Sequence, residues 1–220
     1  MKGEIAMDAN AGTRSISEEP ALTIDCKDVL LREFAVGDLD AFHALTWQPE
    51  IYEYLPGWNV SKEQRKDWLI NYEIPENERF FHAVSQGEDV GELRLRLAII
   101  WKKTGEFIGW CCSGIKEELP PPNREIVYAV SKDHRGKGYA AQASQGMIRY
   151  LFESANVEAL SAIALLNNVP SNKVIHECGF NFQAIIEIDN EKYNHYALCK
   201  KDWADRREDA MLLSLLPQPD

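Results

Sequence analysis

No apolar run in this chain reaches the roughly 18 residues that a membrane span requires, and its start lacks the basic-then-apolar pattern of a secretory signal. A cytoplasmic protein with no membrane partner is therefore expected. Cysteine is scarce: Cys26, Cys111, Cys112, Cys178 and Cys199 show no metal-ligand spacing, so neither a metal site nor a disulfide framework is expected. On a strand, the adjacent Cys111 and Cys112 would point to opposite faces, as reduced core residues do. Positive charge is also short. The formal net charge of -11 disfavours nucleic acid as a partner by simple repulsion. It would draw in a cationic acceptor such as an amine, although acidity also serves solubility alone. A G-x-x-x-x-G-K-[ST] run is missing, which argues against a nucleotide-hydrolysing loop, and no internal repeat appears.

What is present suits one α/β domain. With 220 residues and 45% hydrophobic content the chain can bury a full core. Residues 1–20 are small and polar, with no periodic apolar face, and read as a flexible tail ahead of a single domain over 21–220. Val29 to Phe34 reads as a strand, followed by a helix opened at Asp38 with Leu39, Phe42, Ala44 and Leu45 on its apolar side. A second helix is capped by Ser61 and runs through Trp68 to about Tyr72. Between them, residues 47–58 are rich in aromatics, which either line a pocket or pack between the helices. Hairpins are predicted for 95–101 with 107–115, turning at Gly105, and for 180–188 with 193–199, turning across 189–192. The proline-rich stretch 117–123 must be a surface loop, and 202–216 reads as a terminal helix.

The most informative segment is the strand Ile126 to Val130, which runs into Asp133-His134-Arg135-Gly136-Lys137-Gly138-Tyr139-Ala140 and then a helix reaching Ser154. Two glycines permit positive φ there, so successive backbone N–H groups can converge on an anion where the helix dipole also favours negative charge. Arg135 and Lys137 add cations at the same mouth. This is not a dinucleotide fingerprint: Ala141 follows at the third position, but no strand with an acidic end comes about 20 residues later. A second block, Asn168-Val169-Pro170-Ser171 and onward to Gly179-Phe180, reads as a capped helix that stops at a glycine and enters a strand.

Together the blocks resemble the GNAT N-acetyltransferase family in its RimJ/RimL-like, ribosomal-protein N-terminal branch. The R/Q-x-x-G-x-G/A pattern is matched by Arg135, Gly138 and Ala140, and N-x-x-S followed by G-F is matched by Asn168, Ser171, Gly179 and Phe180. The likeness is clearest from Asp28 to Trp203. It implies an α/β (α+β) acyl-CoA acyltransferase fold: a mixed, largely antiparallel sheet splayed at its centre, with flanking helices. It implies acetyl-CoA as cosubstrate, with the diphosphate on the cradle and the pantetheine arm along the splayed strand. The cofactor-binding residues are then Val130, Ser131, Arg135, Gly136, Lys137, Gly138, Tyr139, Ala140 and Asn168. The acceptor is a primary amine, on a protein N-terminus or a small molecule, and a homodimer is one expectation for assembly. An acyl-CoA-binding module without turnover, or a different acyl donor, are the alternative readings.

Acyl transfer to an ammonium of pKa near ~10.4 needs a group to collect its proton. Glu125, where the family's E-I-G-Y-like pattern carries a glutamate, is the candidate base, with Glu187 second; an exposed strand-end glutamate without function is the alternative. Val127 replaces that pattern's glycine. A backbone N–H near Val130 should meet the oxyanion. Relatives often carry a tyrosine acid where this chain has Ile175, and the branch suggests Ser171 in its stead, a residue that equally suits a helix start. His134, His176 and His195 have no metal or triad spacing and read as structural.

Overall fold

The structure, a computed structural model, describes residues 22–214, with side chains described to residue 208. The tail expected over 1–20 and the last residues of the expected terminal helix, 215 and 216, lie outside the described residues. Alternating apolar residues build strands β1 (Thr23–Asp25), β2 (Val29–Glu33), β3 (Leu95–Trp101), β4 (Glu106–Ile115), β5 (Arg124–Val130), β6 (Ala159–Leu165), β7 (Asn181–Ile188) and β8 (Glu191–Cys199). They form one sheet in the order β1-β2-β3-β4-β5-β6-β8-β7. Every neighbouring pair is antiparallel except β5 and β6. That exception is what matters for function. β5 pairs with β4 along its whole length but meets β6 only at Glu125↔Ser161, so beyond Glu125 the two strands diverge.

Helices cover both faces. On one side α1 (Leu39–Thr46), α2 (Pro49–Tyr52) and α3 (Lys62–Trp68) enclose a core of Phe34, Phe42, Ile51, Leu69, Trp110 and Cys112. On the other, α5 (Tyr139–Glu153) and α6 (Val169–Glu177) pack Met147, Leu151, Phe152 and Ile175 on Leu97, Cys111 and Val130. Cys111 and Cys112 thus serve opposite cores, as strand alternation requires. The last helix, α7 (Lys200–Ser214), leans Trp203 on Phe152 with ring centroids 5.3 Å apart.

Three elements depart from the sequence reading. The helix expected to stop near Tyr72 continues: α3 passes through a π-helical turn over Leu69–Glu73 into α4 (Ile74–Gln86). Pro75, which has no N–H to give, sits in the first turn of α4, directly after the π turn. Short β1, at the sheet edge, was not anticipated either. The β7–β8 connection is a two-residue turn rather than four, because Asp189 (φ 52°) and Asn190 (φ 64°) both adopt the left-handed conformation of a type I′ hairpin.

The π turn carries a buried ion pair. Arg65 Nη1 lies 3.2 Å from Glu73 Oε1, and its guanidinium stacks on Phe42 and Trp58 while Nη2 donates to the Trp58 carbonyl. Burial pushes the Glu73 carboxyl up, Arg65 pulling against it. Arg65→Ala would leave that carboxylate buried and unpaired, at a cost of about 3–5 kcal/mol. Because a raised folded pKa gives stability that is lost as pH rises through it, the variant's deficit should grow as pH rises from the ordinary carboxylate range toward neutrality. Urea unfolding across that range checks both the size and the sign.

Candidate active site

At the mouth of α5, Gly136 (φ 72°) and Gly138 (φ 76°) are both left-handed, and Gly138 is the helix N-cap. This geometry turns the main chain so that the N–H groups of Gly136, Lys137, Gly138, Tyr139, Ala140 and Ala141 have no acceptor among the described residues. A side chain begun at Gly136 or Gly138 would meet nothing within 4 Å, so the cradle is open. Converging donors and the dipole of a helix of 15 residues suit this mouth to an anion.

The cations beside it are tied down. Arg135 donates from Nε to the Val130 carbonyl at 3.3 Å and from Nη2 to the Glu50 carbonyl at 2.6 Å, fastening the loop to α2. Lys137 Nζ donates to the Asp133 carbonyl at 3.0 Å. Main-chain amides rather than these side chains therefore face the cradle. Gln48, which sequence reasoning missed, clamps the same loop: its Oε1 accepts from Lys132 N at 2.8 Å and its Nε2 donates to Ser131 Oγ at 3.1 Å.

Below the cradle the divergence of β5 from β6 exposes a strand edge. Ser131 N donates to the Ile108 carbonyl on the β4 side, and its own carbonyl accepts from His134 N. Both backbone groups of Ser131 are thus engaged. By antiparallel alternation, the N–H groups of Tyr128 and Val130 then point the other way, into the gap, while that of Ile126 lies at the one bridge to β6. Val130 keeps a free donor where Ser131 does not. Gly109 makes this approach of β4 to β5 possible: a Cβ there would lie 2.1 Å from the Ala129 carbonyl oxygen.

Opposite faces of the gap carry different chemistry. Glu125 shares its face with Val127 and borders a cleft lined also by Trp58, Arg94, Arg96 and Ile115. Burial pushes its carboxyl up to about 7, against pull from Lys116 and Arg94, with Glu118 adding a smaller push. A carboxyl at that value is poised to gain or lose a proton near neutral pH. Across the gap, Asn168 caps α6, its Oδ1 accepting from Ser171 N at 3.2 Å, while its Nδ2 has no partner among the described residues. The Tyr128 hydroxyl donates to the Ser171 carbonyl at 3.1 Å and lies 3.0 Å from Ser171 Oγ. Tyr128 was not singled out from sequence, because a contact between residues 43 apart leaves no local signal.

Other candidates fall away from this place. Glu187 is exposed on β7, opposite Lys192 and separated from β6 by β8. His134 packs on Trp101 and Tyr139, His176 on Tyr196, and His195 Nε2 is 3.0 Å from Ser161 Oγ. Among the described residues no cluster of His, Cys, Asp or Glu is arranged to hold a metal, and no helix is long and apolar enough to cross a membrane. The aromatic segment divides. Trp58 stacks on Trp110 at 4.9 Å and lines the cleft, whereas Trp47 stays 49% exposed.

Comparison with known proteins gives a consistent picture. A family profile described as an acetyltransferase (GNAT) domain matches residues 28–181. An uncharacterized N-acetyltransferase of Bacillus subtilis, YnaD, is 24% identical over 188 residues, spanning 82% of this chain and 98% of its own. The ribosomal-protein-S5-alanine acetyltransferase of Vibrio fischeri superposes with a TM-score of 0.64 at 15% identity, over 83% of this chain and 98% of the other. The aminoglycoside acetyltransferase AAC(6')-Ib, solved with paromomycin and acetyl-CoA, gives 0.65 at 15% identity, over 82% and 98%.

Proposed function

Because the chain belongs to the GNAT acetyltransferase family, whose profile covers residues 28–181, we propose that it moves the acetyl group of acetyl-CoA to a primary amine, with Glu125 as base. The observation that carries this reading is the unpaired edge of β5, which joins the open cradle above it to Glu125 below. The diphosphate sits on the N–H groups of residues 136–141, and the pantetheine arm follows the β5 edge, its amides meeting the backbone of Tyr128, the Val130 carbonyl and Asn168 Nδ2. Glu125 takes a proton from the ammonium, and the freed amine attacks the thioester carbon. Val130 N–H meets the oxyanion as the C–S bond breaks. The products are an acetamide and the thiol form of CoA.

Ser171 supplies or orients the proton that the thiolate takes up, with Tyr128 fixing its hydroxyl. Little help is needed, since a thiol of pKa ~8.5 leaves readily. Ser171→Ala should therefore lower kcat only about tenfold, well short of the 10²–10⁴ of a full general acid, with acetyl-CoA affinity nearly unchanged. Stopped-flow thiol release beside calorimetry reads both; an unchanged kcat removes Ser171 from the mechanism.

The finer placement is with the RimJ/RimL-like branch, supported by the S5-alanine acetyltransferase neighbour. A protein N-terminus and a small amine both fit the reaction, and the relatives solved include one named for each kind of acceptor. Thiol release from acetyl-CoA over an amine panel, with product masses, tests the activity. Binding of acetyl-CoA with no thiol released by any amine would make the protein a binding module instead.

A further inference from the structure

The face of the sheet that carries Glu125 also carries a cation without a carboxylate partner. Leu95 pairs with Ser113 and Gly114 with Glu125, so Arg94, one residue before β3, continues the row of Gly114 and Glu125 on β4 and β5. Arg94 uses the missing side chain: a Cβ on Gly114 would lie 2.7 Å from Arg94 Cγ, which means that the arginine stem lies across the glycine toward Glu125. Two strand spacings of about 4.8 Å separate the Cα atoms of Arg94 and Glu125, and no salt bridge joins them. The other arginine of the cleft, Arg96, is paired with Glu76 at 2.5 Å. Arg94 makes a side-chain bond only from Nη2, to the Ile115 carbonyl at 3.4 Å, leaving Nε and Nη1 without acceptors among the described residues.

We propose that Arg94, lying across Gly114, is an acceptor subsite for a carboxylate a few bonds from the amine, so that the substrate class is an amine–carboxylate zwitterion. The assignment rests on the role given to Glu125 above. One end of such a molecule meets each group: the ammonium faces Glu125 and the carboxylate takes a bidentate pair of N–H donors from the guanidinium. Trp58, Ile115 and Val127 remain as apolar walls for whatever joins or flanks the two charges. A zwitterion carries no net charge, so the -11 of the whole chain does not repel it. The same chemistry comes from a free amino acid or from a peptide whose first residue is acidic.

The test compares alanine with alaninamide, and the dipeptide amides Asp-Ala with Asn-Ala, as acceptors for acetyl-CoA. Alaninamide has the less basic amine and is favoured by easier proton removal, so any preference for the acid reports recognition of the carboxylate. The wild-type protein should prefer the acid member of one pair by about 10–100-fold in kcat/KM, as a charge-assisted bond to Arg94 predicts. The pair that shows it identifies the source. Arg94→Ala should collapse that ratio, Arg94→Lys should restore part of it, and Gly114→Ala, which displaces a flexible side chain rather than backbone, should lower it in a folded protein. The ratio cancels any change in Glu125 that the substitutions cause. Turnover of amines with no acid preference in either pair, or a preference that survives Arg94→Ala, overturns the subsite and leaves the acetyltransferase reading standing. Failure of every amine to release thiol overturns both.

Discussion

Replacing Glu125 by glutamine is expected to lower kcat about 10²–10⁴-fold, the range for losing a positioned general base, while acetyl-CoA binds as before. The pH dependence carries the sharper test. Burial raises the Glu125 carboxyl to about 7, so the base is blocked by its own proton below that pH and free above it. Wild-type kcat should therefore rise with pH through about 7 and level off, and Glu125→Gln should lose that limb. Lys116 and Arg94 pull the carboxyl down and Glu118 pushes it up, so Glu118→Gln should move the limb to slightly lower pH. The acceptor's own ionisation adds a separate limb, which stays in the variant. A profile that keeps its step near 7 in Glu125→Gln would assign the proton transfer elsewhere.

The second large effect concerns the cradle. Gly138→Asp places a carboxylate in the open space where the diphosphate should sit, and a Cβ there meets no atom within 4 Å. At about 4 Å and an effective dielectric of 20, two unit charges repel by about 4 kcal/mol, or roughly a thousandfold in affinity. Gly138→Asn is the control, because it has the same shape and the same left-handed backbone requirement (φ 76°) without the charge. Calorimetry should find CoA binding lost in the aspartate variant and largely kept in the asparagine one. Equal losses in both would mean that backbone conformation, rather than the anion, accounts for the effect.

The β5–cradle–α5 unit was legible in the sequence because its determinants are local: β-branched residues, two glycines and a helical apolar period fall within 30 residues. The Asn168 cap and the glycine stop of α6 were legible for the same reason. What the sequence hid depends on register between distant segments. Nothing near Tyr128 announces Ser171, and nothing near Arg94 announces that Gly114 lies beneath it with Glu125 one strand further on. The α4 helix lies beyond the expected end near Tyr72, and only the π turn over Leu69–Glu73 carries the chain into it past Pro75. Glu191 and Lys192 read as loop residues because an exposed edge hairpin is polar, although both belong to β8. Ser131 shows the finer limit. Its place in the strand end was foreseen, but only the hydrogen bond to Ile108 reveals that its N–H turns away from the gap and that of Val130 turns toward it.

In a crystal structure of the protein with CoA bound, diphosphate oxygens should lie within hydrogen-bond distance of main-chain N–H groups over 136–141, and the pantetheine arm should lie between β5 and β6 with its amides on the β5 edge. CoA bound away from α5, or a continuous β5–β6 ladder closing that gap beside an empty cradle at saturating CoA, would contradict that placement.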